Sequence, residues 1–170
     1  MADKEYTDAI ALLKADHREV EDLFEQFEKA KDDSRKWEIA QKVCNELKIH
    51  SMIEEEIFYP ATEEAVEEDL YNEAFVEHDG AKVLINDIME SRGEGEFFEA
   101  KVKVLSEEIK HHVEEEEKAN TGYFAQVRDS DIDVKALLEP MQARKDELKA
   151  QAESGGLPAA ELTAIDADAS

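Results

Sequence analysis

Four of the five histidines and two of the glutamates of this chain form a doubled pattern. Each half of the pattern has one single histidine followed by one His-x-x-x-Glu pair. The separation between the histidine and the pair is nearly the same in both halves. The six residues are His17, His50, Glu54, His78, His112 and Glu116. Residues four apart on a helix share one face and lie about 6 Å apart along its axis. Each pair can therefore point into the same small volume.

The chemistry that suits these side chains is the binding of two metal ions. Each imidazole gives one nitrogen to one cation, whereas a carboxylate has two oxygens and can bridge two cations. Four imidazoles and two bridging carboxylates would leave coordination positions open, where a small molecule can bind and react. Mixed nitrogen and oxygen ligands between helices favour iron, or less often manganese. Zinc accepts these ligand types but suits two bridges poorly.

The alternative interpretation is that the histidines are ordinary core residues. One His-x-x-x-Glu pair is nearly uninformative in a chain with so many glutamates, and a single histidine on an apolar helix face usually needs no metal. Four histidines on the inward stripes of four different helices are harder to explain in this way. Burying four imidazoles and two carboxylates without a metal would cost several kcal/mol in unpaired polar groups, so we favour metal binding.

The second pair has an ambiguous register. His111 and Glu115 have the same spacing as His112 and Glu116. The apolar stripe that begins at Leu105 continues through the later pair, whereas the earlier pair falls on a stripe that includes charged residues. We therefore predict that His112 and Glu116 are the ligands and that His111 is partly exposed.

Acids next to the predicted ligands are candidates for orienting the imidazoles through their second ring nitrogens. The sequence does not choose among them; they are Asp16, Glu55, Glu77 and Glu117. Tyr59 and Tyr123 are candidates for an acid–base or redox role, although aromatic residues at such positions more often form the pocket wall.

Apolar residues at intervals of three and four predict four amphipathic helices. Turn residues and Pro60, which should kink or end the second helix, give their approximate limits. The helices run from Ile10 to about Lys31, from Ile39 to Ile57, from about Asp69 to Ser91, and from Phe98 to about Asn120. Four such helices joined by short connections predict an all-α fold, an antiparallel up-down-up-down four-helix bundle.

The chain is predicted to have three parts. Residues 1–128 form the bundle. Residues 129–152 add a C-terminal helix, interrupted at Pro140, which packs across the outside or one end. Residues 153–170 begin close to a Gly-Gly pair and are rich in alanine and aspartate, so we predict a flexible tail.

The composition of the chain limits the kinds of molecule that it is expected to bind. The 170 residues carry a formal net charge of −25, which repels nucleic acid and anionic membranes and attracts cations without specificity. The single cysteine, Cys44, lies in an apolar stripe and excludes a disulfide framework. We find no signal peptide and no apolar run long enough to cross a membrane, which favours the cytoplasm.

The segments DHREVEDLF, HSMIEEEIFYP, VEHDGAKVL and HHVEEEE resemble the hemerythrin-like HHE cation-binding family, from about Ile10 to Val127. The resemblance implies a bundle with a non-haem di-iron centre, bridged by an oxide or hydroxide and ligated by the six residues named above. Oxygen-carrying hemerythrins of annelids and sipunculids use five histidines, one glutamate and one aspartate, so this chain resembles a different branch. Its last ligand segment also lacks the usual Phe-Pro ending and continues as ANTGYF.

Three functions follow as hypotheses. The first is binding of O2, or of NO or peroxide, at an open iron position for sensing, buffering or detoxification. The second is an enzyme that decomposes peroxide or oxidises iron at the same centre. The third is a regulatory module whose fold depends on iron. Whether the chain is an enzyme, and which protein partner it has, is left open.

Overall fold

The computed structural model describes residues 5–166, and within them the chain is helical without strands. The all-α prediction is confirmed. The elements in chain order are α1 (Ala9–Lys29), α2 (Asp33–Ile53), a π-helical turn (Glu54–Phe58), α3 (Tyr59–Thr62), a 3-10 turn (Glu63–Ala65), α4 (Glu68–Ser91), α5 (Phe98–Glu117), α6 (Tyr123–Arg128) and α7 (Val134–Ser154).

Helices α1, α2, α4 and α5 form the bundle. Two helical hairpins, α1 with α2 and α4 with α5, pack on each other through contacts of α2 with α4 and of α1 with α5. The Asp8 side chain caps the start of α1 by accepting a hydrogen bond from the Ala11 N–H. Arg92 and Gly93 both adopt positive φ angles and reverse the chain after α4.

The core has two apolar clusters with a polar layer between them. Ile10, Leu13 and Ile53 belong to one cluster, and Val20, Leu47 and Ile85 belong to the other. The predicted metal-binding side chains lie at the level where these two clusters meet. The apolar residues thus hold the four helices together on both sides of a buried polar site.

The second helix changes geometry at the site itself. α2 ends at Ile53, and the following π-helical turn is closed by a bond from the Tyr59 N–H to the Glu54 carbonyl. Pro60 then lies in the first turn of α3, where its missing N–H costs little. The expected break at Pro60 is therefore a change in helical winding that begins six residues earlier, at Glu54. Such turns recur at functional sites.

The C-terminal helix packs along α1, α2 and the π-helical turn. The predicted interruption at Pro140 is wrong: α7 runs from Val134 to Ser154 with this proline inside it. A proline removes one donor from a helix, but Met141, Lys145 and Leu148 are buried against the bundle and hold the helix in place. The short helix α6 was not predicted.

Beyond α7, the chain lies against the bundle over part of the segment predicted to be a flexible tail. Residues 157–165 contact α2 and α4 through hydrogen bonds. The first four residues of the predicted bundle domain and the last four of the predicted tail lie outside the described residues. Within residues 5–166, none of the helices is long and apolar enough to cross a membrane.

Candidate metal centre

The structure brings all six predicted side chains together in the polar layer. Each of the four bundle helices gives one histidine, and the two glutamates come from the start of the π-helical turn and from the last turn of α5. All six are buried, with exposed fractions of 0–7%: His17, His50, Glu54, His78, His112 and Glu116. Cys44 is buried in the neighbouring apolar cluster and lies outside this group.

The side chains form two trios. Ligand atoms of His17, His50 and Glu116 lie within 4.8 Å of one another, and those of Glu54, His78 and His112 do the same. In each trio both imidazoles come from one hairpin and the carboxylate comes from the other. Neither hairpin alone contains a complete trio.

Each carboxylate also lies between the two histidine pairs. Glu54 Oε1 is 3.0 Å from His50 Nε2 and 3.3 Å from His78 Nε2. Glu116 Oε1 is 3.2 Å from His17 Nε2 and 3.4 Å from His112 Nε2. Both glutamates are therefore placed where a carboxylate could bridge two cations.

The four imidazoles share one orientation. Each Nδ1 contacts the carboxylate of an acid outside the trios, at 2.6–2.9 Å: Glu117 for His17, Asp16 for His50, Glu55 for His78 and Glu77 for His112. An ionised carboxylate can only accept, so Nδ1–H donates in every case. In the neutral imidazole the Nε2 lone pair then points into the cluster, which is the arrangement that metal-binding histidines use.

A basic side chain contacts each of these four orienting acids. Arg18 contacts Glu117 at 2.6 Å and Lys82 contacts Glu55 at 2.8 Å. The buried Lys145 of α7 pairs with Asp16, and His111 lies 3.0 Å from Glu77. The bases come from three bundle helices and from α7. The charges of Asp16, Glu55 and Glu117 are therefore balanced by cations on the side away from the cluster.

Without a metal the cluster holds protons. Burial lowers the pKa of His50, but the Glu54 and Asp16 carboxylates outweigh it and raise this pKa to about 10. Burial also opposes the charged form of His112, yet the adjacent Glu116 raises its pKa well above the usual value. In Glu116, burial acts to raise the pKa, and the neighbouring imidazoles instead bring it well below the usual range. Protons and cations therefore compete for the same atoms.

Buried atoms without hydrogen bonds show that the site suits a cation. Among the described residues, five buried side-chain nitrogens and oxygens lack such a partner, and all five belong to the cluster: His17 Nε2, His50 Nε2, both carboxylate oxygens of Glu54, and Glu116 Oε1. The contacts of 3.0–3.4 Å given above place opposite charges close together without the alignment of hydrogen bonds. Unpaired buried polar atoms are costly, and a bound cation would pair them.

Tyr59 enters the cluster, although the sequence favoured a role in the pocket wall. Its hydroxyl donates to Glu116 Oε2 at 2.9 Å and lies 3.2 and 3.3 Å from the Nε2 atoms of His78 and His112. Burial raises the pKa of this phenol well above its usual value, and Glu116 adds to the shift. Tyr59 therefore stays protonated and can donate a hydrogen bond.

Two other residues lie outside the cluster. The side chain of His111 is 63% exposed, and its ring contacts Glu77 instead of the glutamates of the trios. The Tyr123 hydroxyl forms a hydrogen bond with the Thr62 hydroxyl at 2.8 Å.

The ring of Phe124, which the sequence had not singled out, stacks on His17 with ring centroids 5.9 Å apart.

A small cavity adjoins the imidazoles. Its volume is about 30 Å³, and Val20, Leu47, Ala81 and Ile85 are among the apolar residues in its wall. A cavity needs about 10–15 Å³ on this measure to hold one water molecule. A ligand of two or three heavy atoms matches this space, whereas larger substrates do not.

Comparisons with known proteins agree with this geometry. The chain matches the hemerythrin HHE cation-binding domain over residues 8–121. Its fold is similar to the crystal structure of a hemerythrin HHE cation-binding domain-containing protein from Mycobacterium kansasii, with a TM-score of 0.71 and 20% identity over 89% of this chain and 96% of that one. No curated protein matches at a significant level. Because the matched domain spans most of the sequence, the chain belongs to the hemerythrin HHE cation-binding domain family.

Proposed function

We propose that the cluster holds two iron ions and that a small ligand, O2, NO or peroxide, binds at a position the protein leaves open. The proposed iron ligands are His17, His50, Glu54, His78, His112 and Glu116. The observation that carries the proposal is the common orientation of the imidazoles: four acids occupy the Nδ1 atoms, and four Nε2 atoms face two carboxylates.

The protein's own groups would give the centre its properties. Bound iron would supply reversible electron transfer and open coordination positions. The four orienting acids fix the imidazole rings and raise their basicity. Glu54 and Glu116 would each offer a carboxylate to both ions, and the mostly apolar wall of the small cavity would limit the entry of water. Tyr59 is placed to donate a hydrogen bond to a ligand on the His78 and His112 side.

The size of the cavity supports a diatomic ligand or peroxide. A volume of about 30 Å³ does not fit a metabolite of ordinary size. Oxygen or iron sensing, ligand buffering and detoxification are roles that suit such a ligand.

The first test is metal content after loading with iron(II). His112→Ala should lower the iron bound per chain, because it removes a buried nitrogen aimed at the cluster. His111→Ala is the matched control, since it removes the adjacent but exposed imidazole. Elemental analysis would also distinguish iron from manganese and zinc. An intact site in His112→Ala with loss in His111→Ala would overturn the assignment.

The second test is the response of the loaded protein to the proposed ligands. Absorption spectra recorded under reducing conditions, on aeration, and after addition of NO or peroxide should differ from one another. Iron-loaded protein whose spectrum is indifferent to all three would contradict ligand binding while leaving the metal assignment in place.

The position of the Tyr59 hydroxyl favours a second candidate function, catalytic peroxide decomposition or iron oxidation. A neutral phenol within 3.3 Å of two imidazoles could give a proton to a reacting ligand. Tyr59→Phe should then slow steady-state peroxide consumption by iron-loaded protein while leaving iron content unchanged. Equal rates for both proteins would argue against this role.

A further inference from the structure

The segment from Leu157 to Ile165, here called the C-terminal strap, binds the bundle mainly through its main chain. Lys48 Nζ donates to the Pro158 carbonyl at 3.1 Å. Two hydrogen bonds join Asn86 to Ala160: the Ala160 N–H donates to Asn86 Oδ1 at 2.8 Å, and Asn86 Nδ2 donates to the Ala160 carbonyl at 2.9 Å. Contacts of this kind fix the course and register of the strap.

Asp79 on α4 anchors the far end of the strap. Its carboxylate is 0% exposed and accepts hydrogen bonds from three consecutive N–H groups, those of Thr163 at 2.9 Å and of Ala164 and Ile165 at 2.6 Å. Within the described part of the chain, a buried carboxylate that lost these donors would keep only Lys82 as a hydrogen-bond partner. Release of the strap would leave this buried carboxylate short of donors, which costs free energy and therefore favours the bound strap.

The bound strap places one side chain beside the candidate metal centre. The Thr163 hydroxyl donates to Glu55 Oε1 and accepts from Lys82 Nζ at 3.2 Å. The other oxygen of Glu55 accepts from His78 Nδ1 at 2.9 Å. Two hydrogen bonds thus connect the strap to an imidazole of the cluster.

This connection is specific to one histidine. Asp16, Glu77 and Glu117 pair with bases on helices, whereas Glu55, alone among the four orienting acids in the described structure, also contacts the strap. A cavity of about 440 Å³ remains between the strap and the helices. The strap is therefore held by its polar contacts more than by continuous packing.

We propose that the C-terminal strap is part of the metal site's support, and that Thr163 is a positioning residue that fixes Glu55 and, through Glu55, the ring of His78. The inference rests on the proposed function, because it assigns a purpose to the orientation of His78. When the strap leaves its groove, Glu55 loses a donor and His78 loses part of its restraint. Occupancy of the groove thus controls how firmly the His78 ring is held.

The test uses the full chain with three substitutions. Thr163→Val removes the hydroxyl at nearly constant shape, Thr163→Ser restores it, and Thr121→Val makes the same change at an exposed loop threonine outside the strap. The first readout is the side-chain nitrogen resonances of His78 in ¹⁵N-histidine-labelled, metal-free protein. The second is the rate at which a chelator removes iron from loaded protein.

Thr163→Val should shift the His78 resonances and leave those of His17 and His50 in place. It should also speed iron release by about three- to tenfold, less than the 10–100-fold typical of removing a group that contacts a ligand directly. Thr163→Ser should restore both values and Thr121→Val should change neither. Parent-like resonances and release in Thr163→Val, or a Thr163→Ser protein that behaves like it, would overturn the proposal.

The two readouts separate this inference from the proposed function. If the parent chain binds no iron, the proposed function fails, and the resonances of metal-free protein still decide whether Thr163 positions His78. Asn86→Ala provides an independent perturbation, because it releases the middle of the strap without touching Glu55. Hydrogen exchange at the Ala160 and Thr163 amides should then accelerate, and the His78 resonances should move in the same direction as in Thr163→Val. An unmoved His78 alongside faster exchange would also contradict the proposal.

Discussion

At the scale of single residues, the site is organised by the different roles of the two nitrogens in each imidazole ring. One nitrogen is held by an acid and the other faces the cluster. The sequence predicted the six inward residues because their spacing matches helical geometry, and it named the four orienting acids without pairing them. It could not place the Tyr59 hydroxyl, since the π-helical turn that aims this side chain leaves no periodic signal.

The Tyr59 hydroxyl is predicted to stabilise the metal-free protein. Tyr59→Phe leaves the buried Glu116 Oε2 without its donor, and an unsatisfied buried acceptor costs about 1–3 kcal/mol. Urea denaturation of metal-free protein would measure the loss. Tyr71→Phe is the control, because this ring packs beside the Tyr59 ring with centroids 6.4 Å apart and is only partly buried. A smaller loss for Tyr59→Phe than for the control would contradict the role of this hydrogen bond.

Cys44 is predicted to be inert in the folded protein. Burial raises the pKa of its thiol to about 12, from a usual value of 9.0. Alkylation requires the thiolate, so at pH 8 the native chain should react far more slowly than the same chain in denaturant. Because the folded-state pKa is raised, the neutral thiol's contribution to stability is present below pH 9 and falls as the pH approaches 12. Equal alkylation rates in the native and denatured states would show that Cys44 is not buried.

At the scale of elements, helix ends and helix partners determine the site. The main apolar stripes predicted the four bundle helices because each stripe is long and periodic. α6 is too short to show a helical period. The interruption predicted at Pro140 is wrong because the packing of the buried face of α7 outweighs the low helix propensity of proline. The course of the C-terminal strap was unpredictable for another reason: the bundle binds mostly its main chain, which every sequence shares.

The pairing of α7 with the site gives a stability prediction. Lys145→Met removes the buried cation that faces Asp16, and breaking a buried ion pair by removing one partner costs about 3–5 kcal/mol. His50 still contacts Asp16, so we expect the lower end of this range. Thermal and urea denaturation would measure the change. Lys135→Met, at an exposed position of the same helix, should be nearly neutral; equal effects would mean that the buried pair contributes little.

The turn after α5 is predicted to tolerate no side chain at Gly122. A Cβ atom there would lie 2.6 Å from the Lys118 carbonyl oxygen and 2.9 Å from that of Glu115, so Gly122→Ala must distort the end of α5. Overpacking of this kind costs about 1–3 kcal/mol. Gly80→Ala is the opposite case: its nearest neighbour would be 3.9 Å away, and alanine in a helix gains about 0.5–1 kcal/mol over glycine. Denaturation curves that shift in the same direction for both variants would contradict the predicted difference between the two glycines.

At the scale of the whole molecule, two apolar clusters enclose a layer of charge. The net charge of −25 adds repulsion between distant parts of the chain. Composition predicted the acidic net charge but not which acids serve the buried site, because most acids are exposed and only a few reach the cluster.

Metal removal is therefore predicted to destabilise the entire bundle. A ligand present at 100 times its dissociation constant stabilises the folded state by about 2.7 kcal/mol, and both hairpins should share this gain because each trio draws on both of them. Calorimetry should show a higher melting temperature with iron(II) than after chelation. Calcium at the same concentration tests non-specific attraction to the acidic surface. An equal rise with calcium, or no rise with iron, would contradict a specific site.

The exchange of carboxylates between hairpins has a consequence for biogenesis. A newly made α1–α2 hairpin offers two imidazoles without the glutamate that completes their trio, because that glutamate lies at the end of α5. Neither trio is complete until the second hairpin has been synthesised and docked. On the proposed assignment, iron would therefore bind late in maturation, after the two hairpins have docked.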